Sequence, residues 1–355
     1  MKNQLSKSII IILFFCPFWG EKFGGKVLAQ DIHFSQFYMA SLQQNPAMAG
    51  ALYDTQVLIN YKDQWRSVGS PYSTSAASFD MKLNQKKNPK GVLAAGISFF
   101  NDKAGDGNLS TTQANLSLAY HVKIAQYNTF GGGIQGGFAQ RSINYSELSW
   151  GSQYNGTTFN TSLANGEPLI GSSKLAPDFS GGILWNYNNT SGEIQVTDNH
   201  DLKANIGFSV FHFNQPNISF AGNAADNLNM KYVLHGSGLF SLLNNNLAIV
   251  PGFMYCRQGS LQELYTGSMI RFKLSQESKY TFLHKGSAIS LGAYYRAKDA
   301  MSVNMLFEYS NYAMGLSYDV NTSKLKTVTG LRGGLEITLR FVTPNPFTKK
   351  EATRL

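Results

Sequence analysis

Between positions 312 and 320 the chain alternates. Tyr312, Met314, Leu316, Tyr318 and Val320 are apolar, and Ala313, Gly315, Ser317 and Asp319 between them are small or polar. A period of two places the first set on one face of a β-strand and the second on the other. The same alternation carries Met301, Val303, Met305, Phe307 and Tyr309, then Leu116, Leu118, Tyr120 and Val122, and again Leu335, Ile337, Leu339 and Phe341. Segments of this kind predict strands near 55–65, 73–83, 91–101, 110–123, 127–139, 178–187, 204–213, 231–243, 247–258, 261–274, 287–296, 301–309, 312–320 and 329–341, fourteen in all. Many run nine to thirteen residues, longer than the roughly five or six of a soluble sheet and suited to a tilted strand that crosses a bilayer.

Such strands could close a soluble sandwich or propeller with the apolar face inward, or a membrane barrel with it outward. Composition separates the two. Charged residues make up 14% of the chain against roughly 25% in soluble domains, while aromatics make up 13% and there are 34 glycines. A barrel interior lined by small and polar side chains under an outer apolar belt accounts for that balance. The expected fold is therefore all-β, a transmembrane antiparallel β-barrel of about fourteen strands preceded by a short N-terminal periplasmic segment. Closure pairs every backbone N–H and C=O where water is absent, and an even strand count returns both ends of the barrel to one side. No stretch of 18 apolar residues exists to form a membrane helix. A chain with 24 Phe and 18 Tyr has too much surface to bury to be disordered.

The termini divide the chain further. Residues 1–29 read as a signal peptide: lysines, an apolar run from Ile9 to Trp19, and Val27-Leu28-Ala29 before Gln30. Cys16 falls inside that run, which leaves Cys256 as a lone thiol unable to form an internal disulfide. Residues 30–54 are expected to be a periplasmic or lumen-entering segment packed by its aromatics, 55–341 the barrel, and 342–355 a periplasmic tail carrying Pro344, Pro346, Lys349 and Lys350. The formal charge is +9. Lys2, Lys7, Lys22 and Lys26 against Glu21 contribute +3 of it in the first 29 residues, and the rest is scattered singly, so no nucleic-acid partner is expected.

Motifs for chemistry are weak. Gly131, Gly133 and Gly136 spell G-x-G-x-x-G, but inside a strand rather than before a helix. The histidines are dispersed, no nucleophile elbow is present, and no cofactor or metal is expected. Arg296, Glu308, Asp319, Arg332, Glu336 and Arg340 have lumen parity and are expected to form a polar ladder inside the barrel, paired because buried charges need partners. With Gln30 and Leu355 both periplasmic, the breaks at 124–126, 244–246 and 310–311 become short periplasmic turns, and 140–177 and 214–230 lie outside. The longest outer loop carries Tyr145, Trp150, Tyr154 and Phe159, residue types that favour protein contacts. A loop folded inward as a plug is the competing expectation.

Several stretches, taken in order, resemble one family. They are Gln30-Asp31-Ile32-His33-Phe34-Ser35-Gln36-Phe37-Tyr38 with Asn45-Pro46-Ala47 and Gly50; Asn60-Tyr61-Lys62-Asp63-Gln64-Trp65 with Pro71-Tyr72 and Ser78-Phe79-Asp80; and Gly315-Leu316-Ser317-Tyr318-Asp319-Val320-Asn321. Gly136 to Arg141, Leu148-Ser149-Trp150, Pro177-Asp178-Phe179 and His212 to Pro216 add to the likeness. The chain resembles the PorP/SprF outer-membrane proteins of the Bacteroidetes type IX secretion system, some of which serve gliding motility. Phe34, Gln36, Phe37, Tyr38, Asn45 and Pro46 carry the most specific part. The resemblance implies an integral outer-membrane, non-enzymatic barrel that helps secrete or anchor large adhesin-like proteins at the cell surface. Its implied partners are a secreted adhesin or other type IX substrate, the lipid bilayer, and peptidoglycan-associated periplasmic components. A general diffusion porin or small-solute channel is the rival reading, since lumen-facing Ser, Asn and Gly fill space poorly.

Overall fold

The computed structural model describes residues 31–66, 70–84, 90–105, 107–166, 171–189, 197, 199, 202–220, 226–242, 246–275, 285–323 and 326–343. The signal-peptide reading of 1–29 and nearly all of the tail reading lie outside these residues. Within them the chain forms fourteen strands: β1 Thr55–Gln64, β2 Tyr72–Lys82, β3 Gly91–Ala104, β4 Leu109–Ala125, β5 Asn128–Ser142, β6 Ser173–Asn188, β7 Lys203–Phe211, β8 Lys231–Ser241, β9 Leu247–Gln258, β10 Leu261–Ser275, β11 Ser287–Arg296, β12 Ala300–Tyr309, β13 Tyr312–Asn321 and β14 Arg332–Thr343. Each pairs with its sequence neighbours, and β1 pairs with β14, so the sheet closes into an antiparallel barrel. The seam runs regularly from Thr55↔Thr343 to Gln64↔Gly334.

Alternation decides which way each side chain points. Along β13, Tyr312 and Tyr318 are exposed while Ala313, Ser317 and Asp319 are buried. Leu116, Leu118 and Tyr120 of β4, and Leu335 and Leu339 of β14, face outward in the same way. An apolar belt of this extent is tolerated only against acyl chains, and its interior counterpart is small or polar, the inverse of a soluble core.

Several strand boundaries differ from the sequence reading, such as β3 ending at Ala104 and β5 at Ser142, and two of the differences have a local cause. β6 begins at Ser173 rather than at 178, and Pro177 sits inside the strand opposite Phe138. Its missing N–H costs nothing at a position whose carbonyl is used instead, accepting from Asn214 Nδ2 at 2.7 Å. At the other end, Thr329, expected to open the last strand, instead closes a short helix, α2 Lys326–Thr329, followed by Gly330 and Leu331 in the left-handed region, and β14 starts at Arg332. The pairing then slips by one residue, from Tyr318↔Leu335 to Val320↔Arg332. Partners across an antiparallel ladder share a face, so this bulge turns Arg332 outward with Val320, and Arg332 is exposed. The expectation that Arg332 faces the lumen is corrected accordingly: parity counted from Glu336 fails across a bulge.

The barrel has two distinct ends. One, the turn end, holds the start of β1, the finish of β14 and the tight β12–β13 turn at Ser310 and Asn311. The other, the loop end, carries the long connections 143–172 and 212–230.

Candidate functional site

Residues 31–54 occupy the lumen. Their path is read from their partners. Asp31 meets His212, Lys231 and Gln258, all at the loop end. Ser35 and Gln36 meet Glu336 at mid-barrel, and Gly50 and Asp54 meet Asp80 and Lys82 at the turn end. The segment therefore enters from the loop end and descends the whole barrel before turning into β1. The sequence reading placed the start of this segment on the same side as the tail. Instead Asp31 lies at the end opposite Thr55 and Thr343, because 24 residues in short helical turns are long enough to span the barrel height. The turns are Phe37–Met39, α1 Ser41–Gln44 and Pro46–Met48.

At the loop end the first contact is a charged knot. His212 Nε2 lies 2.7 Å from Asp31 Oδ2, and His212 Nδ1 lies 2.8 Å from Asp178 Oδ1. Both ring nitrogens face carboxylates and so both must donate, which requires the imidazolium. Burial alone would push His212 down, but Asp31 and Asp178 reverse that and raise it to about 9. For Asp31, burial works upward, while His212 and Lys231 outweigh it and hold the carboxyl well below its usual range. Gln113 donates to the other Asp178 oxygen, and Gln258 Nε2 donates to Asp31 Oδ1 at 3.2 Å.

Below this knot the ladder residues come together around the segment. Lys62 Nζ donates to His33 O and Ser35 Oγ at 3.1 Å each, and lies 3.7 Å from Asp319 Oδ2. Ser35 Oγ donates to Asp319 at 2.7 Å, and Arg296 Nη2 reaches the same carboxylate at 3.2 Å. Glu336 accepts the backbone N–H groups of Ser35 at 2.7 Å and Gln36 at 3.0 Å. Lower down, Glu308 lies between Arg271 and Arg340, at 2.8 and 2.6 Å. Arg296, Glu308, Asp319, Glu336 and Arg340 are thus inside the barrel, where Glu336 holds backbone N–H groups of the N-terminal segment and Asp319 its Ser35 hydroxyl. Lys62 belongs to this set. Its parity with Leu58 and Asn60, both buried, was the available signal.

The family-motif residues do the packing. Phe34 and Phe37 are buried, Phe37 against Tyr265, Met269 and Tyr294. Tyr38 stacks on Tyr294 with ring centroids 5.6 Å apart. Gln36 Oε1 accepts from Thr338 at 3.1 Å. Asn45 caps the Pro46–Met48 turn by accepting from Ala47 N at 2.9 Å, and its amide donates to Ile183 O at 2.9 Å. Here the wall glycines explain themselves: a Cβ on Gly133 would stand 2.5 Å from Ala47 N, and one on Gly182 would overlap Asn45. Gly133, part of a run that imitates a nucleotide motif, is there to let the segment approach.

The four aromatics of the 143–172 connection separate into two pairs. Tyr145 packs near Trp150 and Phe220, and its hydroxyl donates to Gly171 O at 3.0 Å. Tyr154 and Phe159 bridge a small hairpin at the tip, with rings 5.2 Å apart, and are 49% and 59% exposed. The inward-folded plug expected as an alternative for this loop is supplied by residues 31–54 instead. Among the described residues no group of three or more His, Cys, Asp or Glu is arranged to hold a metal ion.

The chain is similar to a BamA from Haemophilus ducreyi lacking POTRA domains 1–3, with 11% identity over 82% of this chain and 70% of that one, and a TM-score of 0.41. It is also similar to a deltaS2S3 mutant of the TodX monoaromatic hydrocarbon channel, at 9% identity over 86% and 94% with a TM-score of 0.45. The KdgM porin matches at 7% identity over 81% and 99%, with a TM-score of 0.34. No curated protein matches the sequence. A family described as "Type IX secretion system membrane protein PorP/SprF" matches residues 27–341.

Proposed function

The chain belongs to the PorP/SprF family of type IX secretion system membrane proteins, and from that premise we propose that it is a closed platform that helps secrete or anchor a large adhesin-like protein at the cell surface. Membership and the closed fourteen-strand barrel make it an integral outer-membrane component of type IX secretion. The reading beyond that rests on one observation, the filled lumen. A barrel whose interior is taken up by its own residues 31–54 offers its partners surfaces rather than a conduit. At the loop end, the outer side of the membrane in this reading, the exposed Tyr154–Phe159 tip is the contact for the secreted protein. Rigid aromatic pairs of this kind anchor protein interfaces at low entropic cost. The turn end faces the periplasm, where peptidoglycan-associated components are the proposed partners. Catalysis has no role in this account.

The rival porin reading needs an open bore, and the hydrogen-bonded path from Asp31 to Asp54 weighs against it. Deleting 150–165 tests the proposal in cells. Surface retention of the partner is expected to fall while the barrel still folds and inserts; unchanged retention would remove the loop as the docking site.

A further inference from the structure

Charge on the outer face of the barrel is confined to one end. Among the outward positions of β1 to β14, the charged ones are Asp63, Lys103, Arg257 and Arg332, and all four lie at the loop end. The outward positions at the turn end finish instead in residues such as Ile124, Leu274, Tyr309 and Tyr312, all exposed. The strand lysines there, Lys82, Lys123, Lys203 and Lys273, have lumen parity. The outward carboxylate, Asp63, is taken up by Arg66. Lys103, Arg257 and Arg332 are exposed, and none of them has a carboxylate partner among the described residues.

Their depth follows from the residues below them. Lys103 stands four positions beyond Phe99, Arg257 two beyond Tyr255 and opposite Tyr232, and Arg332 three before Leu335. Phe99, Tyr232 and Leu335 are exposed members of the apolar belt. At about 3.4 Å per residue the cations lie just past the edge of that belt. A cation on the lipid face is costly at mid-bilayer and tolerated at the interface, so these three side chains sit at the level of the headgroups. The surroundings of Arg332 are the most complete. Arg332, Val320, Met301 and Tyr295 form one cross-strand row on the outer face. At its far end the Lys298 N–H donates to the Tyr295 hydroxyl at 3.2 Å, which seats the exposed Lys298 above the row. The row is thus an apolar strip with a cation at each end.

We propose that the outward rim of the loop end is a lipid-recognition surface, on which Lys103, Arg257 and Arg332 each take the phosphate of an anionic lipid whose acyl chains lie on the belt below. Solvation alone does not sort cations by parity and by end, whereas a leaflet of phosphate headgroups meets only the outward positions at its own level. The guanidinium forks of Arg257 and Arg332 suit phosphate oxygens, and Lys103 offers a point charge. The Arg332 row supplies the widest contact, with Met301 and Val320 under the chains and Lys298 as a second cation. This inference needs only that the barrel is integral to the membrane; it depends neither on which end is outside nor on the Tyr154–Phe159 tip as a docking site.

Native mass spectrometry of the purified full-length protein, released from detergent with equal amounts of phosphatidylglycerol and phosphatidylcholine of identical chains, tests this. Phosphatidylglycerol should be retained at least about fivefold over phosphatidylcholine, the discrimination expected of one cation at an anionic headgroup. The triple variant Lys103→Gln, Arg257→Gln and Arg332→Gln should bring that ratio to about one, and Arg332→Gln alone should lower it part of the way. Lys174→Gln is the control: Lys174 is an exposed cation at the same end but of lumen parity, and its loss should leave the native ratio in place. Heat-shifted gel mobility establishes that each variant is folded. Equal retention of the two lipids by the native chain, an undiminished preference in the folded triple variant, or a fall with Lys174→Gln as large as with Arg332→Gln would overturn the site.

Discussion

Replacing Glu336 with Ala should loosen the N-terminal segment by a calculable amount. The Glu336 carboxylate accepts the Ser35 and Gln36 N–H groups at 2.7 and 3.0 Å, and both residues are fully buried. No second acceptor stands in for it, so the substitution orphans two buried donors. At about 1–3 kcal/mol for each, and with Lys62 losing a nearby countercharge, local opening of residues 33–40 becomes easier by roughly 3–5 kcal/mol. That segment opens before the barrel does, since its ties to the wall are side-chain contacts whereas the strands share a closed ladder. Amide hydrogen exchange followed by mass spectrometry reads the effect directly. A change of about 3 kcal/mol is a factor of about 100 in exchange rate for the 33–40 amides, with strand amides unchanged. Glu336→Gln, which keeps one acceptor oxygen, should fall between. Protection of 33–40 identical to the native chain would refute the argument that this carboxylate holds the segment.

Other outcomes follow from the same contacts. The loop-end knot should respond to alkali: His212 is raised, so its contribution is complete below about 6.5 and disappears as pH rises through about 9. The loss amounts to about 3 kcal/mol at 1.36 kcal/mol per unit, and the native chain should show a drop in barrel-melting temperature between pH 7 and 10 that His212→Gln lacks. Gly182→Val drives a side chain into Asn45 and should destabilise by about 1–3 kcal/mol, seen as a lower temperature for the gel-mobility shift on heating; equal temperatures would mean that the segment does not press on this wall. Arg332→Ala, on the outer face beyond the bulge, should change stability by no more than about 0.5 kcal/mol, in contrast to Glu336→Ala. Tyr154→Ser with Phe159→Ser should leave barrel melting unchanged while reducing partner retention on cells.

Strand positions were legible because a membrane barrel writes one rule along the whole chain: every second residue meets lipid. Tyr312 to Val320 shows it without interruption. The rule failed where its premise failed, at Pro177, whose N–H is not needed, and at Arg332, where one extra residue reverses parity. The filled lumen was harder to read. Residues 31–54 have no period, since a segment surrounded by wall on all sides buries Phe37, Met39 and Leu42 in different directions. The wall did carry signs of it. Lys62, Asp319 and Glu336 are charges that a dry interior has to pair, and Gly133 and Gly182 leave room for a backbone to approach the wall. The partners His212 and Asp178 could not be joined to Asp31 by sequence, because 181 and 34 residues separate the pairs and only barrel closure brings them together.

The central claim, that the barrel is closed by its own N-terminal segment, is tested most directly by single-channel recording of the purified full-length protein in planar bilayers, beside a variant lacking residues 31–46. The account predicts no steady conductance from the full chain and ohmic openings from the shortened one. Steady ohmic openings of equal size from both would contradict it.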